Sequence, residues 1–215
     1  MTFLELVNDV LERLREDVVL AVDSTAYSKL IGKFVNDTKR EVERAFGWDT
    51  IRITPTVTTT ANVANYVVTG SGRSQHHVTI NDTTNHYQLI NMPRQWIFDQ
   101  TELTDSSQLG SPAYYCWDGS DGTDSKIRLF PIPDGAFVLE CNMYVAAAPL
   151  ALDTDVLTLD PDLVVAGAYA RAAVERGEEG GLSSSEAYHV FRSHLSDAVA
   201  LEATRYSEND CWEAT

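Results

Sequence analysis

The chain has 215 residues, enough for one large domain or two small ones. Its hydrophobic content of 44% is that of a globular protein, and no run approaches the ~20 consecutive apolar residues of a membrane-spanning helix. The formal net charge of -16 argues against a protein that grips nucleic acid through clustered Lys and Arg; it fits either plain solubility or a surface that DNA passes without sticking.

From the N-terminus, Thr2 opens a helix to about Glu16, and Thr2 with Glu5 has the spacing of a capping box. Phe3, Leu4, Leu6, Val7, Val10, Leu11 and Leu14 supply its buried face. The early acids Glu5 and Asp9 set the segment apart from a signal peptide. Val18 to Val22 is apolar and mostly β-branched, which suggests a buried linker or extended turn. A second helix, from about Ser24 to Trp48, carries an apolar stripe: Tyr27, Leu30, Ile31, Phe34, Val35, Thr38, Val42, Ala45 and Phe46. Lys33, Asp37, Lys39, Arg40, Glu41, Glu43 and Arg44 fall between the stripe positions and are expected to face outward. Asp23 or Ser24 is the expected cap, and Gly47 the expected left-handed stop.

From Asp49 to about Ala148 the period changes to two. Short strands are predicted around Val57, Val67, Val78, Leu89, Ile97, Tyr115, Ile127 and Leu139, separated by Gly- and Asp-containing turns, which indicates an antiparallel sandwich or small barrel. The polar stretch 99–111 reads as a loop. At Asp160-Pro161 helix resumes, with a cap followed by proline at the first helical position. Ala166, Gly167, Ala168, Ala170, Ala172 and Ala173 let a neighbouring helix approach closely. A fourth helix runs from about Ser183 to Tyr206. No helix of these lengths is stable alone in water. The expected fold is therefore α+β: a four-helix bundle from residues 1–48 and 160–206, an inserted antiparallel β sandwich or barrel-like region over 49–150, and a tail over 207–215.

The chemical motifs are weak. Asp118, Asp121 and Asp124 are spaced by three, not by the two of a calcium loop, and no bidentate Glu follows. Adjacent His76 and His77 in a strand point to opposite faces and do not share a metal easily. Gly70-Ser71-Gly72-Arg73-Ser74 lacks the Lys of a phosphate loop, and there is no Gly-x-Ser-x-Gly elbow. Cys116, Cys141 and Cys211 are odd in number and widely spaced, which fits a reducing compartment rather than a disulfide framework or a zinc site. No catalytic residue, cofactor or metal is expected. Trp96, Trp117, Tyr114 and Tyr115 leave open a carbohydrate-binding β module, in which aromatics stack on sugars.

Several stretches resemble one family. Tyr27, Leu30-Ile31, Phe34-Val35-Asn36-Asp37, Lys39-Arg40-Glu41-Val42-Glu43 and the Phe46-Gly47-Trp48 exit are similar to the head–tail adaptor (connector) proteins of tailed bacteriophages. Phe3 to Asn8 and Ala168 to Glu178 add to the likeness. The middle matches only as a pattern, through Tyr114-Tyr115 and Leu129 to Gly135. The resemblance implies a structural virion protein assembled in the host cytoplasm. It implies a homo-oligomeric ring of about twelve copies, in the neck between the portal protein and a tail or nozzle protein. DNA would pass through its channel without specific binding. Another tail-completion or neck ring protein is the nearest alternative. Ring contacts are expected between Lys33, Lys39, Arg40 and Arg44 on the second helix and Glu175, Glu178 and Glu179 at an acidic helix end. The tail residues Asp210, Cys211, Trp212 and Glu213 are expected to order on the portal, with Trp212 as the anchor.

Overall fold

The computed structural model describes residues 1–72, 76–103, 108–177 and 184–205. The chain divides into two compact units, Met1–Thr50 with Ala148–Thr215, and Ile51–Ala147.

The first unit is helical. Helix α1 (Phe3–Arg13) begins at the predicted capping box: the Thr2 hydroxyl accepts from the Glu5 N–H at 3.3 Å, and the Glu5 carboxylate accepts from the Thr2 N–H at 2.8 Å. Those hydrogen bonds hold the Glu5 carboxyl below its ordinary range. Helix α2 (Ala26–Ala45) is capped one residue later than expected: Thr25 accepts from the Ser28 N–H at 2.9 Å. It also stops before Gly47, because Phe46 is already extended and Trp48 turns back to donate its indole N–H to the Val42 carbonyl at 2.7 Å.

The last two helices belong to the same unit. They are numbered here after a third, α3 (Arg94–Glu102), which lies in the β unit. Helix α4 (Pro161–Arg176) has Asp160 as cap and Gly177, at φ 61°, as its left-handed end. Helix α5 spans Ser184–Ala203. A helix apolar on all sides belongs inside. α4 is such a helix, buried from Leu163 to Ala168, and it packs against α1, α2 and α5. It comes close at Gly167, where a Cβ would lie 2.4 Å from Thr38 Cγ2.

The described residues of the β unit form ten strands: β1 (Arg52–Ile53), β2 (Thr56–Thr58), β3 (Asn65–Val67), β4 (His76–Asp82), β5 (Tyr87–Asn91), β6 (Leu109–Gly110), β7 (Tyr114–Ser120), β8 (Ser125–Phe130), β9 (Ile132–Pro133) and β10 (Val138–Tyr144). The main sheet has eight strands in the order β1-β10-β4-β5-β7-β8-β3, with β2 also on β10, while β6 and β9 form a small parallel pair. Val68, Ile80, Leu89, Tyr115, Ile127, Leu129, Leu139, Cys141 and Met143 make its core. Burial raises the Cys116 thiol and pushes the Cys141 thiol up to about 12, so both stay protonated and unreactive at neutral pH.

These observations correct the expected fold class. The protein is α+β, but it is not a four-helix bundle carrying an antiparallel sandwich or barrel. The described residues hold five helices, and the large sheet is mixed, because β5 and β7 pair in parallel, Ile90 opposite Tyr114. α3 is the physical reason. Parallel neighbours need a crossover, usually a helix, and α3 occupies the β5–β7 connection where Gln95 to Phe98 was expected as a strand. Pro93 precedes it with the fixed φ that suits a helix start, Ile97 is fully buried, and Phe98 lies between the Arg94 and Arg128 guanidiniums, 4.9 and 4.2 Å from its ring centre.

Candidate functional site

Successive outward positions of α2 at spacings of three and four place Asp37, Arg40, Glu41 and Arg44 on one face. Arg171 of α4 and Arg192 and Leu195 of α5 come up beside them. Together with Ala45 they line an open groove of about 530 Å³. Arg171 is held in place: it donates to Glu41 at 2.6 Å and to the Thr38 hydroxyl at 3.2 Å. Arg40 stands 4.0 Å from Asp37. Arg44 and Arg192 are exposed and have no carboxylate partner among the described residues. Four guanidiniums against two carboxylates make the groove cationic on a chain whose net charge is -16. Its floor is apolar, since Leu195 is buried there.

Of the ring-contact candidates, Lys33, Arg40, Arg44 and Glu175 are exposed. Lys39 is not. It is 3% exposed, with its Nζ 2.8 Å from Glu43, which is itself 1% exposed. Both were expected to face outward; the two are four residues apart, so they turn inward as one pair and carry no net charge into the interior. Glu178, Glu179, Asp210, Cys211, Trp212 and Glu213 lie outside the described residues. Arg171 and Arg192 were not predicted for this face. An Arg in the middle of the alanine-rich α4 is the sequence hint of the former, and nothing local marks the latter.

The carboxylates of the Asp118–Asp124 stretch diverge. Asp118 pairs with Arg94 at 2.7 Å, Asp124 accepts from the Gly72 N–H at 3.0 Å, and Asp121 accepts from the Thr123 and Asp124 N–H groups at 2.8 Å each. The last two bonds lower the Asp121 carboxyl. These are the contacts of a β7–β8 hairpin, with Gly119 at φ 83°. The aromatic candidates pack on one another, Trp96 edge-on to Tyr114 and Phe130, and Trp117 edge-on to the buried Tyr115. They serve the β core instead of making a flat sugar platform. Ser71 of the Gly70–Gly72 turn is buried and accepts from the Ser125 N–H at 2.9 Å, an anchor rather than a phosphate cradle. Among the described residues no three His, Cys, Asp or Glu side chains group as metal ligands, and no helix is long and apolar enough to cross a membrane.

Among curated proteins nothing matches the chain. The family model for the SU10 adaptor protein, in contrast, matches residues 1–210. That span takes in the α2 face with its arginine groove, the β unit and α5, and the chain belongs to the SU10 adaptor protein family: it is a phage structural adaptor of the head–tail region of the virion.

Proposed function

We infer that this protein is the head–tail adaptor that joins portal to tail as a closed ring of about twelve copies. The family match over residues 1–210 carries the reading. The protein acts as structure, with no catalytic residue and no cofactor. Cyclic rings are built from one repeated head-to-tail contact, in which two different surfaces of each copy meet. The cationic surface is the α2 face with Lys33, Arg40 and Arg44. The acidic one is the end of α4 with Glu175, joined by Glu178 and Glu179. Buried Lys39 contributes from inside the unit and not at the contact. Exposed ion pairs are worth only ~0–1 kcal/mol each, so charge sets register and the portal acts as the template. DNA passes through the channel without specific binding, because an acidic chain repels phosphate.

Electron microscopy of the purified protein mixed with its portal tests this. Rings stacked on the portal are the expected result, and a protein that stays monomeric beside the portal overturns it. Reversing Arg40 and Arg44 together to Glu is expected to weaken ring formation while leaving the melting temperature within a few degrees of the parent, since both side chains are exposed.

The portal contact is assigned to the tail, Asp210, Cys211, Trp212 and Glu213. A large aromatic such as Trp212 is a frequent interface anchor, and its acidic neighbours orient the approach more than they tighten it. Deleting 207–215 is expected to leave the thermal transition unchanged and to remove portal co-assembly, read by co-sedimentation. Undiminished co-sedimentation of the truncated protein would place the portal contact elsewhere.

A further inference from the structure

A cationic trough with an apolar floor fits a segment that has acids along its flanks and one apolar anchor. The chain carries such a segment near the other end of α2. Val18 to Val22 was expected as a buried linker or extended turn; in the structure Glu16, Asp17, Val18 and Leu20 are exposed in an irregular segment after α1, and Val19 is half-buried. Both ends of the Asn8 amide clamp Val19: Nδ2 donates to its carbonyl at 3.0 Å, and Oδ1 accepts from its N–H at 2.9 Å. Val22 is buried at Gly32, and its N–H donates to Asp153 Oδ1 at 3.2 Å. Asn8 holds the backbone of Val19, and the side chains on either side of it face solvent. Val18 is 57% exposed and Leu20 96%. Leu152 is exposed too, on the segment that the Asp153 hydrogen bond ties to Val22. Single exposed leucines are ordinary. A nearly bare Leu on a backbone already fixed by side-chain hydrogen bonds is a preorganised anchor, because little freedom is lost when it docks. Beside it Asp17 is exposed, with no cationic partner among the described residues.

The chain does not fill its own groove with this segment. Val22 packs at Gly32, whereas Arg44 stands more than three turns further along the same helix, about 18 Å away. The Asn8 clamp leaves Leu20 no slack to cross that distance. We propose that the occupant of the arginine groove is a second copy of this chain, whose Asp17–Leu20 segment lies in it, with Leu20 over Leu195 and Ala45 and Asp17 beside Arg44 and Arg192. The two surfaces differ, so the contact is head-to-tail and repeats. The proposal rests on the ring reading above and supplies that contact with its apolar anchor, the charged rims giving register.

The test uses the full chain with Cys211→Ser, since Cys116 and Cys141 are buried and silent. One preparation carries Val18→Cys, which leaves Leu20 and every arginine in place. The other carries Ala45→Cys at the groove. Oxidised at high concentration or on the portal, the mixture is expected to give a covalent heterodimer, and the doubly substituted chain a ladder. Each single variant alone gives neither. Adding Leu20→Asp is expected to cut the yield at least tenfold without shifting the thermal transition, because Leu20 touches solvent. Rings seen by electron microscopy with no Val18→Cys to Ala45→Cys link overturn this contact and leave the ring reading standing. Neither rings nor links overturn both. Homodimers from Val18→Cys alone mean a two-fold contact and overturn it. So does capture of Cys211 by Ala45→Cys in a parallel preparation that keeps the native Cys211, which would seat the tail in the groove. Duplex DNA bound through Arg44 and Arg192, by anisotropy at low salt and without the link, overturns it in favour of phosphate.

Discussion

Replacing Gly167 with alanine is expected to lower the melting temperature by about 4–8 °C, followed by far-ultraviolet circular dichroism. The sign is the informative part. In an exposed helix the same change stabilises, because alanine is the better helix former by about 1 kcal/mol. Here the added Cβ would sit 2.4 Å from Thr38 Cγ2 and 2.8 and 2.9 Å from two ring carbons of Phe191. Neither neighbour has room to swing away, since Thr38 is fully buried and Phe191 is 1% exposed. α4 would have to withdraw from α2 and α5 together. Overpacking of a well-filled core costs about 1–3 kcal/mol, and a clash with two rigid partners belongs at the upper end. Less the gain of about 1 kcal/mol in propensity, the net loss is about 2 kcal/mol, and at about 2–4 °C per kcal/mol for a chain of this size it lowers the transition by several degrees. A rise in melting temperature for Gly167→Ala would mean that α4 does not touch both helices there.

Lys39→Met is expected to destabilise the protein by about 3–5 kcal/mol in urea denaturation. The ammonium sits 2.8 Å from Glu43 in a site where the two side chains are 4% and 1% exposed. Removing the ammonium takes from a buried carboxylate the charge 2.8 Å away, which costs far more than an exposed pair is worth. The double change Lys39→Met with Glu43→Leu is expected to recover most of the loss, because a buried ion pair replaced by apolar groups of similar volume is often neutral. An equal loss in the single and double variants would show that the site depends on Lys39 for packing and not for charge.

The same pair shows how the sequence misleads. Charged residues between apolar ones on a helix read as a solvated face, and for Lys33, Arg40 and Arg44 that holds. Lys39 and Glu43 carry the same local signal and point inward, because α2 is covered on more than one side by other parts of the unit. Val18 and Leu20 fail in the opposite direction. Their composition suggests burial, yet they face solvent on either side of Val19, whose backbone Asn8 holds.

What the sequence by itself determined is whatever is written in short-range periodicity and end chemistry. The Thr2–Glu5 capping box, the stripe from Tyr27 to Val42, the Asp160-Pro161 start and Gly177 stop of α4, and most strands between β2 and β10 are readable because each uses residues only a few positions apart. Only the tertiary structure decided the rest. Gln95 to Phe98 has strand propensity and becomes α3 because the parallel β5–β7 pair needs a crossover and Ile97 finds a buried site against the sheet. The arginine groove draws Arg40 and Arg44 from one end of the chain and Arg171 and Arg192 from the other. Residues more than a hundred positions apart share no local pattern, so their meeting is set by how α4 packs against α2 and α5, with Gly167 close against Thr38 and Phe191.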